Sequence, residues 1–376
     1  MLKEVVAFTI GDSAKVSTWS GIPYFFTSSL EELEIKVNRV NLAPPAWMRY
    51  FYQKILSKIY KVICRYSINS IYLTAMYRWW AMRVIKRKTM LYPTSEISIF
   101  FTYSFLDLWG DRPNILICDW SLQYYIEKRL NRKPSTFETK CILRENEVIK
   151  KANLVLSLFP QCANYLQSHI DGNIVHLGVN VVNNYKKEPD PNIVLQKKNN
   201  LKILFIGREH YIEGYRMLIK AFDTISGEIP NCQLDVIGLS NDKNISFHPA
   251  ITHHGYLRKE VEKECSLYYK LLSEASIIVN VNPNWAGYSS IIEAMYYYTP
   301  IIISPFECFV EEFGRNLSCG FYCNDSDQLP HLIKEIFFHS DYETLCYSAH
   351  KLVETHTWTN FIEEFINQVE KSIVSR

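Results

Sequence analysis

Eight apolar runs of strand length alternate with stretches of helical period along this chain, and that alternation leaves few folds open. They read VVAFTI, SISIFFTYS, NILICD and LVLSLF in the first half, then LKILFIG, QLDVIG, IIVNVN and PIIIS in the second. Strands covered on both faces by crossover helices have no solvent side, so their sequences lose polar alternation; the pattern predicts parallel sheets wound with helices, an α/β chain. Between the two sets lies NNYKKEPDPNIVLQKKNN, Asn183 to Asn200, polar and proline-bearing, which reads as a linker. The expected organisation is one Rossmann-like domain over 1–185, a linker over 186–200 and a second such domain over 201–356. With 376 residues each domain can bury its own core, and 48% hydrophobic against 21% charged residues excludes a disordered chain. Ligands of such sheets bind outside the carboxyl ends of the strands, so functional residues are sought there.

The ten cysteines are scattered, with no CxxC pair and no His/Cys cluster at metal spacing. A reduced, cytosolic compartment fits that usage. The opening MLKEVVAFTIGDSAKVS is too short in apolar residues for a secretory segment, and no run approaches the length of a membrane span.

Net charge is only +2, but it is unevenly spread: residues 1–190 hold 25 Lys/Arg against 16 Asp/Glu, and 191–376 hold 16 against 23. Most of the excess comes from Lys36 to Ser95, with twelve Lys/Arg and no acid, interleaved with Trp47, Tyr50, Phe51, Tyr52, Tyr60, Trp79 and Trp80. Such a mixture can seat a helix at an anionic membrane surface or grip an acidic acceptor. Equally, it describes two amphipathic helices whose rings are core and whose cations are solvated. No nucleic-acid-binding motif accompanies the charge.

The stretch Asn284 to Pro300, NWAGYSSIIEAMYYYTP, reads as a strand end, a turn through Gly287 and a helix start. Unpaired amides and the positive end of the helix dipole make such a start an anion site, here around Tyr288, Ser289 and Ser290. Glu293 follows four residues after Ser289 and three after Ser290, on the same helix face. Other strand-to-helix turns carry Trp19-Ser20-Gly21, with Ser20 expected as N-cap and Pro23 early in the helix, then Gly207-Arg208, Gly214 and Gly238.

In their order and spacing these segments resemble the retaining nucleotide-sugar glycosyltransferases of family 4, over nearly the whole chain. DSAKVSTWSGIPYFFTSSLEE is similar to the family's first strand-turn-helix, and ENEVIKKANLVLSLFPQCANYL to its last amino-domain helix and strand. HLGVN resembles the crossing segment, LKILFIGREHYIEGYRMLIKAF the first carboxyl-domain unit, and IIEAMYYYTPIIIS the donor-site helix with the next strand. THTWTNFIEEF resembles the terminal helix, so residues 357–376 are expected to pack back on the amino domain. The resemblance implies the GT-B fold, two doubly wound Rossmann-like parallel-sheet domains facing a central cleft, with acceptor in the first and nucleotide sugar in the second.

It also implies roles. Arg208 would clamp the diphosphate as charge builds on the leaving group, and Glu293, the second carboxylate of the family's pair, would hold the ribose hydroxyls. Amides of Tyr288, Ser289 and Ser290 would take a diphosphate oxygen, with Gly21, Gly207 and Gly287 in the backbone turns of the donor site. Asp119, ending NILICD, stands where the family places a polar residue near the donor sugar; alternatively it is a helix N-cap. Two positions depart from the pattern. Trp285 replaces the first glutamate, where its ring could stack on a less hydroxylated sugar, and Glu213 replaces a lysine, leaving Arg216 as the next cation. No carboxylate stands out as a nucleophile, and without Asp-x-Asp no metal is implied; Arg208 and helix amides would serve in its place. The expected activity is transfer of a sugar from a nucleotide diphosphate to a glycan or lipid-linked acceptor in surface polysaccharide synthesis, in the cytoplasm or at the inner membrane face. The alternatives are a catalytically silent relative that binds nucleotide sugar or glycan, and a membrane-surface scaffold of a polysaccharide assembly complex.

Overall fold

The computed structural model describes residues 2–63, 67–177, 188–239, 248–282 and 288–374. The chain divides into two compact units, Met1–Val179 with Trp358–Arg376, and Asn180–Thr357. Each unit is built on one six-stranded parallel sheet.

In the first unit the strands are β1 (Glu4–Thr9), β2 (Lys36–Asn41), β3 (Ile97–Phe100), β4 (Asn114–Cys118), β5 (Leu154–Ser157) and β6 (Ile174–His176), in the order β2-β1-β3-β4-β5-β6. Val5, Val6, Ala7, Phe8, Ile97, Ile99 and Phe100 are wholly buried, because helices cover both faces of these inner strands. The terminal helix Trp358–Val374 belongs to this unit and packs on helix Ile22–Glu32, with Phe25 stacked on Trp358 and Phe26 edge-on to Phe365. Helix Thr136–Lys151 opens on a reciprocal capping box between Ser135 and Glu138, which fixes where it starts.

The second unit holds β7 (Lys202–Ile206), β8 (Gln233–Ile237), β9 (Ile251–Gly255), β10 (Ile277–Asn280), β11 (Ile301–Ile303) and β12 (Gly320–Tyr322), in the order β12-β11-β10-β7-β8-β9. That is the dinucleotide-binding arrangement, with the strand order reversing between β7 and β10. Helix Ile212–Glu228 buries Tyr215, Leu218, Ile219, Phe222 and Ile225, the stripe its period dictates.

Two expectations change here. Residues 193–200, read as linker, form helix Ile193–Asn200, which buries Val194 and the whole side chain of Lys197. The Lys197 ammonium donates to Leu272 O at 2.6 Å, Ala275 O at 2.8 Å and Thr299 Oγ1 at 2.9 Å, tying the helix to the carboxyl end of helix Glu262–Glu274. A lysine in a polar run thus serves as an internal strut. At the first turn the N-cap of helix Ile22–Glu32 is Gly21, not Ser20.

Candidate functional site

A doubly wound sheet opens a crevice where successive crossovers leave in opposite directions, and in the second unit that point lies beyond β7 and β10. Gly207 and Arg208 follow β7, Asn280 closes β10, and helix Tyr288–Tyr296 begins a few residues later. Trp285 and Gly287 lie outside the described residues. Ser289 is exposed and Ser290 half-buried in the helix's first turn, whose amides have no acceptor within the helix. The turns are close-packed: a Cβ on Gly214 would sit 2.2 Å from Val281 O, and one on Gly238, at φ 96°, 2.4 Å from Gly207 O. Neither position admits a side chain, and so the backbone beyond β7, β8 and β10 is drawn tight.

Arg208 is exposed, and its guanidinium lies 4.2 Å over the ring of Tyr256. Among the described residues it forms no ion pair, so a ring orients it and its charge stays available. Arg216 is exposed on helix Ile212–Glu228, and Glu213, the departure from the family pattern, is exposed one turn before it.

Glu293 is not an exposed helix glutamate. It is 3% exposed, and its carboxylate accepts from Lys259 Nζ at 2.6 and 2.8 Å and from the hydroxyl of Tyr268. Lys259 Nζ also lies 4.3 Å over the Tyr268 ring. Burial, with the negative charge of Glu293 beside it, pushes the Tyr268 hydroxyl well above its ordinary range, so it stays a donor. Sequence reasoning missed Lys259. It belongs to the loop after β9, Tyr256 to Lys259, which thereby supports Arg208 at one end and holds Glu293 at the other.

Asn280 was also missed. Its amide donates to Ile206 O at 3.3 Å, across the switch point, while its Oδ1 is buried without a partner among the described residues. An orphaned acceptor of this kind costs about 1–3 kcal/mol, which a ligand or water donor would recover. His253 and His254, by contrast, are internal struts, bonded to the Tyr215 hydroxyl and to Asp235.

In the first unit the order reverses between β1 and β3, and three strand ends meet there. Trp19, Ser20 and Gly21, after β1, take φ values of 43°, 56° and 85°, a left-handed run in which two residues are not glycine. Each non-glycine member costs about 1–2 kcal/mol. The Trp19 ring meets Phe101, after β3, edge-on, and its Nε1 donates to Asp119 Oδ2, after β4, at 3.0 Å. Asp119 is no N-cap, since Ser121 caps the next helix. Burial pushes its carboxyl up to about 6, against the pull of the Trp19 hydrogen bond.

No group of three or more His, Cys, Asp or Glu at metal-binding geometry occurs among the described residues, and no described helix is long and apolar enough to cross a membrane.

Residues 186–342 match the model of the family described as glycosyl transferases group 1. No curated protein matches the chain in sequence. Among solved structures, sucrose-phosphate synthase from Thermosynechococcus elongatus is similar at TM-score 0.67 and 14% identity, over all of both chains. Anabaena HepE, in complex with UDP and glucose, is similar at TM-score 0.64 and 11% identity, over 98% of this chain and all of its own. A TarM variant from S. aureus, in complex with fondaparinux, alpha-GlcNAc-glycerol and UDP, is similar at TM-score 0.55 and 13% identity, over 77% of this chain. This chain spans only 58% of TarM. At such identities the likeness is one of fold, and the fold is GT-B.

Proposed function

We propose that this GT-B chain, whose second unit carries the group 1 glycosyltransferase match, moves a sugar from a nucleoside diphosphate to a glycan or lipid-linked acceptor. The observation that carries the reading is the β7/β10 switch point inside the matched segment: Arg208, without an ion pair among the described residues, follows β7, Asn280, whose Oδ1 has no partner among them, closes β10, and helix Tyr288–Tyr296 starts a few residues later. Arg208 and the helix amides take the diphosphate, and Glu293 takes the ribose hydroxyls by exchanging its present donors for them. Lys259, already beside Glu293, supplies the second cation that Glu213 withholds.

Transfer with retention needs no protein nucleophile. The acceptor oxygen bonds to the anomeric carbon on the face from which the C–O bond to the diphosphate breaks, and the acceptor proton passes to the leaving diphosphate. The protein's part is positioning and charge stabilisation, which Arg208, Lys259 and helix amides provide without a metal. Asp119, held by Trp19 at the end of β4, positions the acceptor or sugar in the first unit.

A membrane-facing role is favoured by one observation. The region of 36–95 exposes Trp47, Tyr50, Phe51, Ile55, Ile59 and Val62 among exposed Lys54, Lys58 and Lys61, so its rings are only partly core. That surface suits peripheral attachment to an anionic cytoplasmic leaflet, consistent with surface polysaccharide synthesis. The test is a thermal-shift and calorimetric panel of UDP, GDP, dTDP, CMP and ADP against wild type and Glu293→Ala. One saturating nucleotide, lost in the variant, supports the reading. Binding by none overturns it and leaves the silent or scaffold alternatives, since ligand at 100 times its Kd stabilises by about 2.7 kcal/mol.

A further inference from the structure

Away from the strand-end turn at Trp19, the first unit has a second concavity with a chemistry of its own. Helix Ala75–Leu91 and helix Thr136–Lys151 each contribute one arginine to it, Arg78 and Arg144. On one side of this pair lies a small recess of about 40 Å³ and mixed character, lined by Thr74, Ser104 and Glu145 together with Leu73, Phe105 and Leu122 among others. On the other lies a pocket of about 300 Å³, walled by Met82, Leu106, Leu108, Leu143 and Val148, with Lys151 and Glu147 at its rim. The two concavities share both arginines.

Both arginines are half-buried. Arg78 donates Nη1 to Ser104 O at 3.2 Å, and Arg144 donates Nε to Lys140 O at 3.1 Å and Nη2 to Cys141 Sγ at 2.9 Å. Among the described residues neither reaches a carboxylate within ion-pair distance. Burial first, then the neighbouring Arg144 charge, pulls Arg78 below its ordinary range. The nearby Glu145 does not relieve them: its carboxyl accepts from Leu122 N at 2.6 Å, and burial lifts it to about 7. Both guanidinium groups therefore line the two concavities with their charge open to an anion that enters.

We propose that this place binds a single lipid phosphate, the phosphate clamped between Arg78 and Arg144 and the chain lying along Met82, Leu106, Leu108 and Leu143. Guanidinium forks match a phosphate monoester better than any single cation would. A 300 Å³ apolar pocket holds about ten water-sized groups at ~30 Å³ each, enough for a length of hydrocarbon and at the small end of ligand sites. Ser104 and Leu122 lie just past the carboxyl ends of β3 and β4, the edge at which this fold engages ligands. Exposed Trp79, Met90, Leu91 and Leu108, with Arg83 stacked on Trp79 and Lys86 near Trp109, give the surrounding surface the rings and cations of a bilayer contact from which a lipid can enter. As the seat of a lipid-linked acceptor the site rests on the proposed glycosyl transfer; as a lipid-phosphate site it stands without it.

The test is calorimetric titration of the full chain with monodisperse farnesyl monophosphate, with inorganic phosphate and farnesol as controls. Two variants accompany wild type: Arg78→Gln with Arg144→Gln, and Leu143→Glu, the latter at an exposed position that folding tolerates. Saturable binding to wild type, at least tenfold weaker in each variant and for each control, is expected, with thermal melting of Leu143→Glu unchanged. The proposal is overturned by no binding, by variants that bind as wild type does, or by either control binding equally well, phosphate then marking a free-anion site and farnesol a plain apolar groove. UDP titrated against the same proteins separates the two readings: farnesyl phosphate bound without UDP removes only the donor reading, and UDP bound without farnesyl phosphate only this one.

Discussion

Lys259→Met isolates the buried contact that sequence did not foresee. Glu293 is 3% exposed and takes both short contacts from Lys259 Nζ, so removing the lysine leaves a carboxylate in the interior with only the Tyr268 hydroxyl. Stranding one partner of a buried pair costs about 3–5 kcal/mol; the Lys259 side chain is 18% exposed, so water can enter and the lower end, about 3 kcal/mol, applies. For a unit of this size that lowers the melting temperature by about 6–12 °C. Lys259→Met with Glu293→Gln strands no charge, since the amide keeps a hydrogen bond to Tyr268, and the pair should cost only about 1 kcal/mol. Differential scanning calorimetry of Lys259→Met, Glu293→Gln and the double variant measures this. If Lys259→Met melts within about 2 °C of wild type, or if the double variant falls by the sum of the singles, the buried-pair account is wrong.

Arg208→Ala should lower turnover by about 10²–10³, while Arg208→Lys recovers part of it, because a point charge replaces the fork; equal rates for wild type and Arg208→Ala in a sugar-transfer assay would remove the arginine from the chemistry. Asp119 has its folded pKa raised to about 6, so the folded state binds the proton more tightly and loses stability as pH rises from about 4 to about 6. Asp119→Asn, which still accepts from Trp19, should therefore be more stable than wild type by about 3 kcal/mol above pH 7 and nearly equal to it near pH 4, read by urea titration at both values. Lys197 has its folded pKa lowered to about 7 against 10.5 unfolded. The burial penalty is then complete below pH 7 and shrinks as pH rises through 7 toward 10.5, so wild type should gain stability across that window while Lys197→Met does not; parallel curves would mean that the three acceptors hold the ammonium charged throughout.

What could be read from the sequence, and what could not, follows from burial. The eight apolar runs correspond to β1, β3, β4, β5, β7, β8, β10 and β11, and the four strands they omit, β2, β6, β9 and β12, are the four edges of the two sheets. An inner parallel strand is enclosed on both faces and both sides, so apolar residues dominate it; an edge strand has one side free, and KVNRVN, ITHHG and IVH carry the polar residues that freedom permits, while GFY is only three residues long. The same logic governs the site. Arg208 and Glu293 stand next to strand ends and helix starts, which periodicity locates. Lys259 reaches Glu293 across 34 positions, from a loop whose course depends on β9, an edge that the pattern does not announce. Lys197 is harder still, because its contacts lie 75 to 102 residues away and only the closed fold supplies them. Arg78 and Arg144 meet across helices 66 residues apart in sequence, one of them in the basic stretch whose charge was plain and whose partner was not. Composition exposes an excess of charge; only packing reveals which cations, such as Arg78, Arg144 and Arg208, have no carboxylate partner among the described residues.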